Sequence, residues 1–303
     1  MKDVIIIGGG PAALSAAIYL GRYKRDCLLI TDSFGGQAAT AGVIENYPGI
    51  TAVDGAALIA KMMEQAKATG VEMKEGESAQ KIEKGESGFL ISTQNSSYEA
   101  RTVIVATGKN PRRLGIEGET ELIGKGLSYC ATCDGPLSKD KKVVIIGGGY
   151  AATKSALILT KYASQITIVN INDTLNSETV TLDKIKNDPK IEVINSAETN
   201  GFEKNGGLIS GVKYEDKVNK EQKSIPAQMV FVEIGQIPNT ENFKGELELT
   251  EKGDIKINRD NQTSLKGVFA AGDVTDISSK QVVVAAGEGA KAAIVVNLYL
   301  ENN

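Results

Sequence analysis

Val4-Ile5-Ile6-Ile7-Gly8-Gly9-Gly10-Pro11-Ala12-Ala13 recurs 139 residues later as Val143-Val144-Ile145-Ile146-Gly147-Gly148-Gly149-Tyr150-Ala151-Ala152. Over the 17 positions starting at Val4 and Val143, ten are identical. Each copy is a run of β-branched residues, three glycines and an Ala-rich apolar stretch, which reads as buried strand, tight turn and helix. A second strand follows each copy at the same offset, Cys27-Leu28-Leu29-Ile30-Thr31 and Ile166-Thr167-Ile168-Val169-Asn170. A fainter echo pairs Val103-Ile104-Val105-Ala106-Thr107-Gly108 with Val230-Phe231-Val232-Glu233-Ile234-Gly235.

This duplication predicts an α/β chain with two Rossmann-like dinucleotide-binding folds of three-layer ββα build. The strand–Gly–Pro exits near Pro111 and Pro238 set the boundaries. The tail beyond them contains Gly267-Val268-Phe269-Ala270-Ala271-Gly272-Asp273 and an apolar helix from about Gln281 to Leu300. That tail is small for a separate domain, so it is expected to rejoin the first fold. The expected domains are 1–113 with 243–303, and 114–242 inserted between them.

Composition narrows the chemistry. The 303 residues are 41% hydrophobic and 24% charged with a net charge of −4, which suits a soluble globular protein and gives no sign of nucleic-acid binding. Histidine is absent, so acid–base work falls to carboxylates, Lys, Tyr or thiols. Three cysteines are too few for a secreted disulfide framework. The apolar start Val4–Leu20 is broken by Gly8-Gly9-Gly10-Pro11, so neither a membrane span nor a leader is expected, and a cytoplasmic location is.

Gly8-x-Gly10-x-x-Ala13 follows a strand and opens a helix. The first glycine permits the turn, the second admits a pyrophosphate, and the small third residue lets helix and strand approach. The second copy keeps Gly147-x-Gly149-x-x-Ala152 but places Tyr150 beside the glycines. Its second strand ends in Asn170, where a nucleotide reader carries an acid for the ribose or cations for a 2′-phosphate. From Ala163 through Asp183 there is no Lys or Arg, while Asp173, Glu178 and Asp183 are acidic. A 2′-phosphate would meet charge of the wrong sign, so NADP is disfavoured, NAD lacks support, and a retained scaffold is the preferred reading.

Cys130-Ala131-Thr132-Cys133 lies just ahead of the second fold. Its spacing brings two sulfurs within bridging reach and suits a reversible dithiol–disulfide couple. A zinc ribbon would need a second pair, and one other cysteine exists, Cys27 in an expected buried strand; no metal site is expected. Asp134 adjoins the pair and is the natural proton donor to a leaving thiolate in a chain without histidine, or alternatively a turn aspartate before Gly135-Pro136.

Gly8–Ala13, Gly35-Gly36-Gln37, Glu45-Asn46-Tyr47-Pro48-Gly49, Ala106-Thr107-Gly108, Cys130-Ala131-Thr132-Cys133-Asp134-Gly135 and Ala271-Gly272-Asp273-Val274 together resemble the low-molecular-weight thioredoxin reductases over essentially the whole chain. The resemblance implies FAD on the first domain, the thiol pair on the inserted one, thioredoxin as partner, and a homodimer. It implies that Cys133 faces the flavin, that Cys130 attacks the partner disulfide, and that Asp134 is the acid. It places Gln37 and Asn46 near the flavin and Asp273 and Gln281 at its ribityl and pyrophosphate side. Gly8, Gly10, Pro11, Ala12, Asp32, Gly108, Gly272 and Val282 complete the implied cofactor set.

The departures from that family are specific. Where NADPH-using members carry a His-Arg-Arg-x-x-x-Arg run, this chain has Asn170, Ile171, Asn172 and Asn176, and Lys154 and Ser155 replace the usual acids after the second glycine turn. This pattern resembles the pyridine-nucleotide-independent branch, including the ferredoxin-dependent flavin thioredoxin reductases. Basic groups at Arg22, Lys24 and Arg25, at Lys109, Arg112 and Arg113, and at Lys139, Lys141 and Lys142 could meet an acidic electron carrier. The expected enzyme is a flavin-dependent thioredoxin-disulfide reductase fed by ferredoxin. An NAD(P)H-dependent reductase, a flavin-dependent dithiol oxidase using oxygen, and a non-enzymatic redox sensor are the alternatives.

Overall fold

The computed structural model describes residues 1–41 and 43–303. By internal contacts the chain forms two units. One comprises Met1–Thr40, Ile44–Asn110 and Ile237–Asn303, and the other is made mainly of Pro111–Gln236. The second unit is therefore an insertion, and the contact boundaries fall just ahead of 113/114 and 242/243. The two crossing strands, Lys109–Pro111 and Gln236–Pro238, pair with each other, which places the change of unit inside the ladder rather than after it.

In the first unit, strand Lys2–Ile7 lies parallel between Cys27–Thr31 and Ser97–Val105. Glu72–Glu75 extends one side, and Val268–Ala270, from the C-terminal segment, joins Ser97–Val105. The tail thus supplies a strand to the first fold. Side chains alternate across the sheet. Ile5, Ile7, Leu28, Ile30, Val103 and Val105 pack with Ile82, Phe89 and Ile91 of the antiparallel meander on one face. Helices Pro11–Arg22, Gly55–Ala68 and Val282–Asn302 form the helical layer, the first of them packing on both others.

The second unit repeats this order. Lys142–Ile146 lies parallel between Gln165–Val169 and Met229–Val232, with Ile191–Ile194 and Leu127–Ser128 outside them. Val144, Ile146, Val230 and Val232 pack on Ile209, Val212 and Tyr214 of an antiparallel sheet. Val143, Ile145, Ile166, Ile168 and Phe231 pack on Ala152, Ala156, Leu159 and Ile185 of the helices. In the second unit two sheets and a helical layer give the expected ββα order, while in the first the meander continues from Ser97–Val105 within one seven-stranded sheet. Each such Val, Ile or Leu side chain contributes about 1.5–3 kcal/mol when fully buried.

The duplication holds at the level of register. Val4 pairs with Cys27 and Val143 with Ile166; Ile5 pairs with Val103 and Val144 with Val230. The fainter echo is therefore a true structural equivalence. Val282–Asn302 is long and apolar enough to cross a membrane by length and composition. Here its small residues Ala285, Ala286, Gly289, Ala292 and Ala293 are buried, and a Cβ on Gly289 would come within 2.0 Å of the Ala12 carbonyl oxygen.

Candidate functional site

The first glycine turn is shaped by close backbone approach. Gly8 has φ +129°, and a Cβ there would stand 2.3 Å from the Ala106 carbonyl oxygen. Gly10, by contrast, faces open space and caps helix Pro11–Arg22 without any side-chain hydrogen bond. That helix begins with Pro11, which has no N–H to leave unpaired, and its uncapped first-turn donors suit an anion. Ala12 is buried behind the turn, where a Cβ on Gly272 would come within 2.8 Å of it. Gly108 and Gly272, with φ of +68° and +78°, end the two neighbouring strands.

Around this turn the same unit assembles most of the expected cofactor set. Gln37 donates from Nε2 to the Lys109 carbonyl oxygen at 2.5 Å, and Asn46 donates from Nδ2 to Gln281 Oε1 at 3.1 Å. Gln281 caps the final helix without a side-chain bond to it, leaving the N–H of Val282 and its neighbours free. Asp32, just past the second strand, is exposed. Asp273 has a buried Oδ1 with no partner. Burial pushes its carboxyl up, opposed by Lys280 and Lys109.

An orphaned buried carboxylate oxygen, an open glycine and two uncapped helix N-termini suit a ligand that combines a pyrophosphate with hydroxyl donors. FAD is such a ligand, so the residues fit it.

The Lys109 side chain is largely buried and ion-paired with Asp254, which removes it from the surface cluster expected of Lys109, Arg112 and Arg113. Lys280 donates to the carbonyl oxygens of Asp273 at 3.1 Å and Thr275 at 2.6 Å, and burial lowers its ammonium pKa. Sequence reasoning misses both of these roles, since neither lysine belongs to a local pattern that announces burial.

The second glycine turn copies the backbone of the first. Gly147 has φ +137°, and a Cβ there would stand 2.4 Å from the Glu233 carbonyl oxygen, while Gly149 is open. Asn170 corrects the sequence reading. It is fully buried, and a Cβ on Gly148 would lie 2.0 Å from its Oδ1. Its amide donates to the Thr174 carbonyl oxygen and Asn195 Oδ1 and accepts from the Asn172 N–H, all within 3.2 Å. Asn170 is the counterpart of Thr31, beneath the turn, and so cannot face a ribose. The outward counterpart of Asp32 is Ile171, 48% exposed and apolar.

Tyr150 occupies the first helical position with its ring out. The Lys154 ammonium lies 5.1 Å from that ring and 3.5 Å from Glu178. Glu233, in the place of Ala106, accepts from the Ser155 hydroxyl at 2.7 Å, and burial raises its pKa.

Cys130 and Cys133 are joined as a disulfide at the start of the short helix Ala131–Asp134. The Cys133 N–H donates to Cys130 Sγ at 3.2 Å. The Ser128 hydroxyl donates to Asp134 Oδ2 at 2.6 Å and accepts from the Cys130 N–H at 3.0 Å. Asp134 Oδ1 is buried without a partner. Burial raises its carboxyl pKa, and the Ser128 bond pulls it part-way back. Preceding the pair, Tyr129 donates to buried Glu119 at 2.7 Å, which also accepts from the N–H groups of Leu114 and Gly115. Cys27 is buried, and desolvation pushes its thiol far up, consistent with an inert core residue.

The family model described as pyridine nucleotide-disulphide oxidoreductase matches residues 2–289. The chain belongs to that family. A thioredoxin reductase of Bacillus subtilis (strain 168) is 36% identical over 300 residues, covering 99% of this chain and 95% of that protein. An alkyl hydroperoxide reductase protein of Pseudomonas putida is 37% identical over 295 residues, but this chain spans 57% of its length. Among solved structures, a thioredoxin reductase from Streptococcus pyogenes MGAS5005 matches with TM-score 0.94 and 34% identity, over 100% of this chain and 99% of that one. This oxidoreductase family accounts for both the α/β units and the Cys-x-x-Cys couple.

Proposed function

We propose that this pyridine nucleotide-disulphide oxidoreductase is a flavin-dependent thioredoxin-disulfide reductase whose electrons come from reduced ferredoxin rather than NADPH. The thioredoxin reductase relatives support the reductase reading. One observation carries the choice of donor: the outward position after the second strand of the inserted unit is Ile171, and its neighbour Asn170 is spent on buried hydrogen bonds. With Lys154 held by Tyr150 and Glu178, nothing cationic among these residues is free for a 2′-phosphate. Lys139 and Lys142, following the redox helix, are exposed and fit an acidic carrier.

In this reading Gly8, Gly10, Pro11, Ala12, Asp32, Gln37, Asn46, Gly108, Gly272, Asp273, Gln281 and Val282 hold FAD. Bound FAD supplies a store that takes electrons singly and gives them as a pair. In the reduced couple, the Cys130 thiolate attacks one sulfur of the thioredoxin disulfide, forming a mixed disulfide and expelling the other sulfur as thiolate. Asp134 gives that thiolate its proton. The Cys133 thiolate then attacks Cys130 Sγ, releasing the second thioredoxin sulfur and restoring the Cys130–Cys133 disulfide. Two electrons have passed from the pair to the acceptor. The proposal includes a homodimer and a cytoplasmic setting, where such a couple meets reduced partners.

Rapid single-turnover mixing of the FAD-loaded protein with NADPH tests the donor. Slow or absent flavin bleaching is expected, and prompt bleaching overturns it.

A further inference from the structure

We propose that Ser128 is a positioning residue that fixes the acid proton of Asp134 on Oδ1 and ties that carboxyl to the backbone of the redox helix. The inference rests on the reading of Asp134 as proton donor. The Ser128 hydroxyl has one proton, and it is only 5% exposed. Its oxygen accepts from the Cys130 N–H at 3.0 Å, and Asp134 Oδ2, at 2.6 Å, is the acceptor the described residues offer its proton. With the Ser128 proton on that bond, Oδ2 serves as an acceptor. Protonation on Oδ2 would instead leave the Ser128 proton without an acceptor, so the acid proton is favoured on Oδ1, the buried oxygen with no partner, from which it can leave without breaking a hydrogen bond.

The same serine links two events of turnover. Its acceptor contact is to the N–H of Cys130, the sulfur-bearing residue that attacks, and its donor contact is to the acid. Removing the hydroxyl frees the carboxyl to rotate and leaves the Cys130 N–H unsatisfied. A positioning role through Asp134 makes a specific demand. The loss must appear where the leaving thiolate is basic and needs a proton, and vanish where it is a stable anion.

The test uses FAD-loaded protein, reduced chemically and mixed in single turnover with two disulfides. One is a thioredoxin, whose leaving thiolate is basic; the other is an aromatic disulfide that releases nitrothiobenzoate, a stable anion. Ser128→Thr and Ser128→Val have the same shape and differ in the hydroxyl. Ser128→Val is expected to slow thioredoxin reduction roughly 10-fold while leaving aromatic disulfide reduction within about twofold, and Ser128→Thr to stay near the parent on both. Equal loss on both substrates, or equal loss in both variants, overturns the proposal. Asp134→Asn separates the two readings. If it shows the leaving-group dependence and Ser128→Val does not, only the role of Ser128 fails; if Asp134→Asn shows none, the acid assignment fails with it.

Discussion

Asp273 keeps a buried oxygen unpaired, which costs stability. Its folded pKa lies above its unfolded one, so the folded state binds more protons between the two. Stability from this group is complete below the ordinary carboxylate range and is lost as pH rises through the raised value. Asp273→Asn is therefore expected to raise the unfolding free energy of the FAD-free protein by about 1 kcal/mol at neutral pH and to weaken FAD retention at least about tenfold. Urea unfolding and flavin release by dilution measure the two. Lys109 shows the opposite balance. Lys109→Met strands Asp254 and is expected to cost about 3 kcal/mol in urea unfolding, with Asp254→Leu added to it recovering most of the loss. Neither effect is legible in the sequence, because Lys109 and Asp254 are distant in the chain and local patterning carries no signal for a buried pair.

At the scale of elements, glycines distinguish packing from approach. Gly289→Ala places a Cβ 2.0 Å from the Ala12 carbonyl oxygen and is expected to cost about 1–3 kcal/mol, whereas Gly287→Ala on the same helix meets nothing within 4 Å and is expected to stabilise by a few tenths to about 1 kcal/mol. Thermal unfolding compares them directly. Gly10 and Gly149 both face open space. Gly10→Val is expected to abolish FAD binding in a folded protein, while Gly149→Val leaves flavin content and thioredoxin reduction unchanged. Loss of turnover in Gly149→Val with flavin retained would assign a ligand to the second turn.

The two folds are legible because the repeated residues are those that fix register, Val4 against Cys27 and Val143 against Ile166. The thiol pair is legible from spacing alone. Asn170 reads wrongly as outward because the turn of the chain after Val169 depends on Gly148 leaving room for the amide beneath it. Ser128 and Glu233 escape a sequence reading because their partners are set by how separate segments meet around the redox helix.

At the scale of the whole molecule, the inserted unit serves in the proposed reading as a scaffold for a dithiol couple rather than a reader of nicotinamide. After the second strand of the inserted unit the chain carries a buried Asn170 and an exposed, apolar Ile171. The exposed lysines after the redox helix imply a rate that depends on salt: raising ionic strength is expected to slow electron entry from an acidic carrier several-fold. The most direct measurement is an anaerobic titration of the FAD-loaded protein, following its visible flavin absorbance with NADPH, NADH and photoreduced ferredoxin in separate cuvettes and oxidised thioredoxin added last. Bleaching by ferredoxin alone, reversed by thioredoxin, is the expected result. Prompt bleaching by NADPH would contradict it and return the second glycine turn to use as a nucleotide site.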